Sequence, residues 1–476
     1  MTEQSTTIHP ASIIPFGILL AMIALGPVLF QHWWHKHYPK VAIGLGFITL
    51  AYYGLGLHAL AQIGHTAHEY LSFIALIGSL FIVAGGIHIH LDAQSSPWFN
   101  TGFLLAGAIL ANVLGTTGAS MLLIRPWIRL NKSRIAPYQI VFFIFIISNI
   151  GGCLTPIGDP PLFLGYLLGI PFWWVLENCW AIWALGVGLL LALFFAIDLL
   201  SFQKAKSGLA PDSQDQKNSP TRIEGLGNVF FLALILGSIF IDKPLFLREA
   251  LMIAAAGGSY LTTRKFVHEA NQFDFAPIQE VAILFIGIFA TMMPALDWLQ
   301  GNASALADVS PAMLYWGSGT LSSALDNAPT YLCFLKAISA HFVHSDTVAA
   351  VNHLIQNGGV DISSLTGEHA ESIRQTFLAL RKYHPELLAS GQVSTDQIEV
   401  AYLLGNLSLN KFIVAISIGA VFFGANTYIA NGPNFMVKSM ADQQGVKTPD
   451  FLTYIWKYTL PILLPVLFII HWVFFH

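Results

Sequence analysis

Hydrophobic residues fill long runs of this chain, and the runs recur with short polar connections between them. A helix needs roughly 20 mostly apolar residues to cross a bilayer. The pattern supplies such stretches at 12–30, 41–63, 69–90, 178–200, 227–241, 245–263, 278–299 and 452–475. Runs such as Ala181 to Leu200 do not alternate apolar with polar residues, which argues against barrel strands. Four further segments are interrupted. Segments 100–125 and 305–337 carry glycine or proline near their middle, at Gly115-Thr116-Thr117-Gly118 and Asp326-Asn327-Ala328-Pro329, and predict re-entrant hairpins with tips near the membrane centre. Segments 138–170 and 399–437 predict spans broken by non-helical backbone, as membrane helices allow where the freed groups line a cavity. The predicted class is an all-α polytopic membrane protein.

Two interruptions hold an acid: Asp159 in SNIGGCLTPIGDPPLFL and Asp326 in LSSALDNAPTYLCFL. A carboxylate at the centre of a membrane helix costs at least ~2.5 kcal/mol, so an acid there points to ion or proton handling. Both also precede a half-helix, where the dipole favours negative charge and a capping role is the alternative.

The distribution of basic residues predicts the topology. With the N-terminus outside, cytoplasmic connections receive Lys36 and Lys40, the Arg125 to Arg134 cluster, Lys204 to Arg222, Arg264 and Lys265, and Lys438 and Lys447. The assignment holds only if both hairpins return to their side of entry. It gives a first membrane half (1–200), a cytoplasmic linker (201–226) and a second half (227–476) with an external insertion (340–398), expected to form a small helical cap.

An internal repeat follows. The stretch Gly152 to Phe163 aligns on Gly424 to Phe435 with Gly, Thr, Ile, Pro and Phe in register, and Leu114-Gly115-Thr116-Thr117 aligns on Leu325-Asp326-Asn327-Ala328. Gly115 and Asp159 stand 44 positions apart, Asp326 and Asn431 105; the insertion 340–398 accounts for nearly all of the difference. Two such halves of opposite orientation, each with discontinuous helices, carry the signature of secondary transporters with the site at the repeat interface.

Composition narrows the classes. Charged residues are 10% of the chain against about 25% in soluble domains. No basic stripe suggests nucleic acid. Cys153, Cys179 and Cys333 form no Cys-x-x-Cys pair, which argues against a disulfide framework or a cysteine metal site. The first eleven residues lack the positive segment of a cleavable signal peptide, so the first apolar run is expected to be retained. The 17 histidines, including His32, His35, His37, His65, His68, His88 and His90, raise the alternative of a membrane metalloenzyme, but their spacing is irregular and they fall on both sides of the predicted membrane.

The elements GTTGASMLLIRP (Gly115 to Pro126), SNIGGCLTPIGDPP (Ser148 to Pro161), LSSALDNAPT (Leu321 to Thr330) and GANTYIANGPN (Gly424 to Asn434), in that order, resemble the ion transporter superfamily. It includes NhaD-like sodium/proton antiporters, arsenite exporters, citrate carriers and sodium-coupled dicarboxylate carriers; the likeness is closest to its citrate-transport and sodium/proton-antiporter branches. The resemblance implies two inverted repeats, often in a homodimer with scaffold and transport parts that move in an elevator-like way.

Broken helices offer oxygen to a hard cation such as sodium. In the first half Thr116, Thr117, Ser148, Asn149 and Thr155 stand at the breaks; in the second, Ser322, Ser323, Asn327, Asn426, Thr427 and Asn431 do. Asp159, Asp326 and Asn327 are the expected sodium ligands, and the two acids the expected coupling groups. Each Ser or Thr could instead satisfy backbone groups at the break. Asp198, Asp297 and Glu280 are expected at interfaces or helix ends, with Arg125 at the cytoplasmic end of its hairpin. The sodium-dicarboxylate carriers bear Ser-Asn-Thr at their hairpin tips; this chain has Gly-Thr-Thr and Leu-Asp-Asn, and a fixed charge at Asp326 would repel a carboxylate. The expectation is therefore a non-enzymatic secondary transporter of a bacterial inner membrane, without organic cofactor, exchanging sodium or another monovalent cation for protons; the alternative is ion-coupled transport of citrate or another carboxylate.

Overall fold

The computed structural model describes residues 9–90, 95–208, 222–241, 244–301, 309–356, 365, 367 and 369–476. The centre of the predicted linker (209–221), parts of the insertion (357–364, 366 and 368) and the start of the second predicted hairpin (305–308) lie outside the described residues.

The first half contains α1 (Ile14–Leu29), α2 (Gln31–Ala51), α3 (Leu60–Gly85), α4 (Pro97–Leu130), α5 (Pro137–Ile146), α6 (Pro160–Leu167) and α7 (Trp174–Gly208). The second contains α8 (Asn228–Ser238), α9 (Leu247–Thr262), α10 (Lys265–Ala270), α11 (Ala276–Gly301), α12 (Pro311–Ala324) and α13 (Asn327–Phe342). Helices α14 (Ser345–Gln356), α15 (Ala370–Tyr383) and α16 (Pro385–Ala389) form the insertion, followed by α17 (Thr395–Gly405), α18 (Leu407–Phe423), α19 (Gly432–Gln443), α20 (Phe451–Tyr454) and α21 (Leu464–Phe474). Among the described residues seven helices are long and apolar enough to cross a membrane. The protein is an all-α polytopic membrane protein, with one short strand pair among the described residues.

Burial separates lipid-facing from core helices. Residues 140–147, mostly in α5, are fully buried and almost wholly apolar, as are most of 413–423 in α18, so the two broken helices form the centre. Phe47, Leu60, Leu261, Phe468 and Trp472 on outer helices are exposed, as a bilayer in place of water permits.

Helix α4 satisfies the length criterion for a span, yet it folds back. Its 34 residues contain Gly115 at φ 74° and ψ 157°, a left-handed conformation that favours glycine; a Cβ there would also lie 3.1 Å from the Ile157 carbonyl oxygen. Beyond this tip the arms pack together: the Phe103 and Trp127 rings are 5.3 Å apart. The open ends are tied as well, Asn100 Nδ2 donating to Asn131 Oδ1 at 2.8 Å. In the second hairpin α12 and α13 turn back at Leu325 and Asp326, and a Cβ on Gly317 would touch the Phe334 ring at 3.3 Å.

Asp198, expected near a span end, is closed off within the protein there. It is fully buried at the mouth of the first hairpin, where Arg134 donates to both its oxygens (2.7 and 2.8 Å) and Tyr138, Asn100 and Gln139 donate as well. A charge so far from water persists because every lone pair is engaged. Asp297 is half-buried, held by Tyr53 at 2.6 Å and Gln62.

Connections assigned to one membrane face by the charge count touch one another. On one face β1 (His88–His90) pairs antiparallel with β2 (Arg222–Glu224), His88 opposite Glu224. Asn271 Nδ2 donates there to the Gly85 and Ile87 carbonyls (2.8 Å each), and Asn228 Nδ2 to Gly86 (2.7 Å). On the other, Tyr166 donates to the Ile239 carbonyl (2.9 Å), His384 Nε2 lies 2.8 Å from the Gly169 carbonyl, and Lys336 donates to Asp396 at 2.5 Å.

The insertion is helical where described and has its own small core: Val351, Ala379, Leu380, Ile398 and Ala401. That core draws residues from both sides of position 398, so α17 serves the cap as well as the membrane half.

Candidate functional site

Both hairpin tips and both helix breaks converge on Asp159. This residue is fully buried and precedes α6, whose Pro160 and Pro161 start the helix without needing an N–H partner. Its Oδ1 accepts from Thr116 Oγ1 of the first hairpin tip at 2.9 Å and from Asn431 Nδ2 of the second break at 3.3 Å. Its Oδ2 accepts from Asn327 Nδ2 of the second hairpin tip at 2.7 Å. Its side chain makes no capping bond, so the contacts are tertiary. Among the described residues the buried amide oxygen of Asn327 has no partner, a free acceptor on a side chain that already touches the carboxylate.

The repeat is visible in these contacts. Asp159 and its counterpart Asn431 have the same backbone conformation before a proline-bearing helix start (φ −143°, ψ 142° and φ −147°, ψ 135°). Thr155 donates to the Asn112 carbonyl at 2.6 Å and Thr427 to the Ser323 carbonyl at 2.8 Å, each acceptor lying three residues before its aligned hairpin position. The same hydroxyls accept from Gly158 N (3.1 Å) and Ala430 N (3.2 Å). At the first break the backbone crosses itself so closely that a Cβ on Gly158 would overlap the Gly152 carbonyl.

The expected site residues therefore separate by what they touch. Thr116, Asn327 and Asn431 surround Asp159, with the Asn149 amide oxygen 3.1 Å and the Ser148 carbonyl 3.3 Å from Asn431 Nδ2. Thr155, Thr427, Ser322 and Ser323 donate to backbone carbonyls, Ser322 to Ala420 at 2.6 Å and Ser323 to Gly319 at 2.9 Å. Asn426 donates to Ser323 Oγ at 2.7 Å.

Asp326 does not contact Asp159. Its Oδ1 accepts from the Ala328 amide at 3.1 Å, and the side chain lines a cavity of about 530 Å³. That cavity lies between the second arm of α4 (Thr117, Met121, Arg125), the face of α19 carrying Phe435, Met436, Ser439 and Met440, and residues of α1, α2 and α11. Asn431 and Gly432 border it at the break, so the cavity reaches from Asp159's partners to the mouth of the first hairpin. His35 and Glu280 also line it; Glu280 is half-buried on the cavity wall.

Residues 5–475 match the protein family described as "Putative citrate transport". The chain belongs to this family. No curated protein matches it. The citrate-transport family lies within the superfamily that the motifs resemble, and the protein is accordingly a multi-pass membrane transporter; the family's description names neither sodium nor protons.

Three residues of this citrate-transport family member escaped sequence reasoning. Asn434 is fully buried and joins Asn149 (2.7 Å) to the Gly424 and Thr427 carbonyls. It ends the GANTYIANGPN motif, where the signal was present but unassigned. Asn112 accepts from Leu154 N at 2.8 Å, and the repeat offset that pairs Gly115 with Asp326 also pairs it with Ser323. Arg125 was expected beyond the site, yet it is 7% exposed and lines the cavity.

Proposed function

We propose that this protein is a secondary active transporter that moves citrate or a related small carboxylate, coupled to a cation gradient, with Asp159 and Asp326 handling the coupling ion. The observation that carries the reading is the cavity of about 530 Å³ joined to the buried Asp159 cluster. A single water needs only about 10–15 Å³ of such space, so this cavity far exceeds the needs of a bare sodium ion. It accommodates an organic ion, in keeping with the family. Asp159, Asn327 and the neighbouring oxygens form the proposed sodium site; at Asp326 a proton or cation neutralises the charge that would otherwise repel the substrate. Hairpins and broken helices move past a scaffold that includes α1, α2 and α11, in an elevator-like cycle within a bacterial inner membrane, as a homodimer. The cavity extends along the second arm of the first hairpin as far as Arg125, toward the side that the charge count gives to the cytoplasm.

Sodium/proton exchange without an organic substrate is the second reading, favoured by the carboxylate at the apex of the cavity. Reconstitution into liposomes separates the two. Citrate uptake driven by an imposed sodium or proton gradient supports the first; sodium-dependent proton movement that is indifferent to citrate, with no citrate uptake, replaces it with the second.

A further inference from the structure

Among the described residues no carboxylate pairs with the buried guanidinium of Arg125. It stands four residues beyond Met121 and eight beyond Thr117 on one face of α4, and all three line the cavity. The residue is 7% exposed, and among the described residues it makes no hydrogen bond or ion pair; its Nε is buried with no partner. One turn further on stands Arg129, a charge of the same sign. The cavity's carboxylates, Asp274, Glu280 and Asp326, come from other elements and none pairs with it. Arginine stays protonated in proteins, and a buried charge is costly unless it is paired. A diffusible anion that enters the cavity would complete the pair.

We infer that Arg125 anchors one carboxylate of a di- or tricarboxylate substrate at the hairpin-mouth end of the cavity, while a second carboxylate extends toward Thr117 and Gly432 beside the breaks. This rests on the transport reading above and deepens it by naming the residue that recognises the anion. A guanidinium presents paired donors that match a carboxylate's two oxygens. The rise from Thr117 to Arg125 is about 12 Å at 1.5 Å per residue, and helix side chains lean toward the N-terminal end, here the hairpin tip. The remaining gap suits a chain of a few carbons with a carboxylate at each end and cannot be spanned by acetate. Asp326 repels the inner carboxylate unless it holds a proton or cation, so anchoring at Arg125 makes carboxylate binding depend on the coupling ion.

The test uses full-length protein, wild type, Arg125→Gln and Arg125→Lys, in liposomes, measuring uptake of labelled citrate and its inhibition by tricarballylate, succinate and acetate. Arg125→Gln should weaken apparent citrate affinity at least about tenfold, the loss of a charge-assisted pair, and Arg125→Lys should restore part of it. The sodium-induced rise in melting temperature should be unchanged in both. Independently of whether these variants fold, citrate should slow maleimide labelling of Met121→Cys in an otherwise wild-type chain, and acetate should not. Wild-type citrate uptake that Arg125→Gln leaves at the same affinity overturns the inference and leaves the transport reading standing. Absence of uptake of any tested carboxylate by the wild type overturns the transport reading itself. Loss of bound anionic lipid in Arg125→Gln, with citrate affinity intact, would assign the guanidinium to a headgroup instead.

Discussion

Asn327 of the second hairpin tip donates to Asp159 of the first broken helix across 2.7 Å, joining the two halves of the chain at one fully buried carboxylate. A hydrogen bond to a charged group is worth about 1.5–3 kcal/mol. Asn327→Ala should therefore weaken sodium activation of transport by roughly 10- to 100-fold, while Asp159→Asn, which removes the charge and keeps the shape, should abolish it. Sodium titrations of uptake in liposomes measure both. Sodium activation unchanged in Asp159→Asn would remove this carboxylate from the ion path.

Asp326 is tied to the protein by one backbone amide and otherwise faces the cavity. Asp326→Asn keeps an acceptor for that amide, so insertion and folding should survive. Coupling should not: gradient-driven accumulation should fall to the level of empty liposomes, while exchange of citrate without a gradient persists. Gradient-driven accumulation equal to that of the wild type would show that Asp326 only caps α13.

Gly115 combines a left-handed backbone with a 3.1 Å approach to the Ile157 carbonyl. Gly115→Ala should destabilise the protein by about 1 kcal/mol or more and lower its melting temperature in detergent. An unchanged melting temperature would mean that the hairpin tip can adopt another conformation.

Outside the spans, Asp396 offers a pH handle. Burial would raise its carboxyl, but the Lys336 ammonium at 2.5 Å and the nearby His65 ring outweigh this and hold it well below the usual carboxylate range. A carboxylate depressed in the folded state contributes stability above its unfolded value, about 3.9, and loses that contribution as pH falls through the folded one. Melting temperature measured from pH 7 down to pH 3 should fall more steeply in wild type than in Asp396→Asn. Parallel curves would show that the pair adds nothing to stability.

The topology can be mapped directly with single cysteines. Labelling from either side should reach positions in 201–226 from one face and positions in 340–398 from the other. Reagent access from the same face would contradict the opposite orientation of the repeats.

The sequence by itself determined the class and the places where helices stop. Apolar length and the scarcity of charge require spans; Gly115, Pro160, Pro161 and Pro433 mark breaks because their backbone chemistry is local. The repeat register, too, was legible, since Thr155 and Thr427 recur with their neighbours in order and make the same bonds. Tertiary structure decided which polar residues meet. Ser322 and Thr116 look alike as hydroxyls beside a break, yet one closes onto the Ala420 carbonyl and the other onto Asp159, a difference fixed by packing between segments far apart in the chain. Arg125 shows the same limit: its position near a hairpin mouth is a matter of sequence, but its burial against a cavity depends on α1, α2, α11 and α19 closing around it, contacts no local pattern encodes.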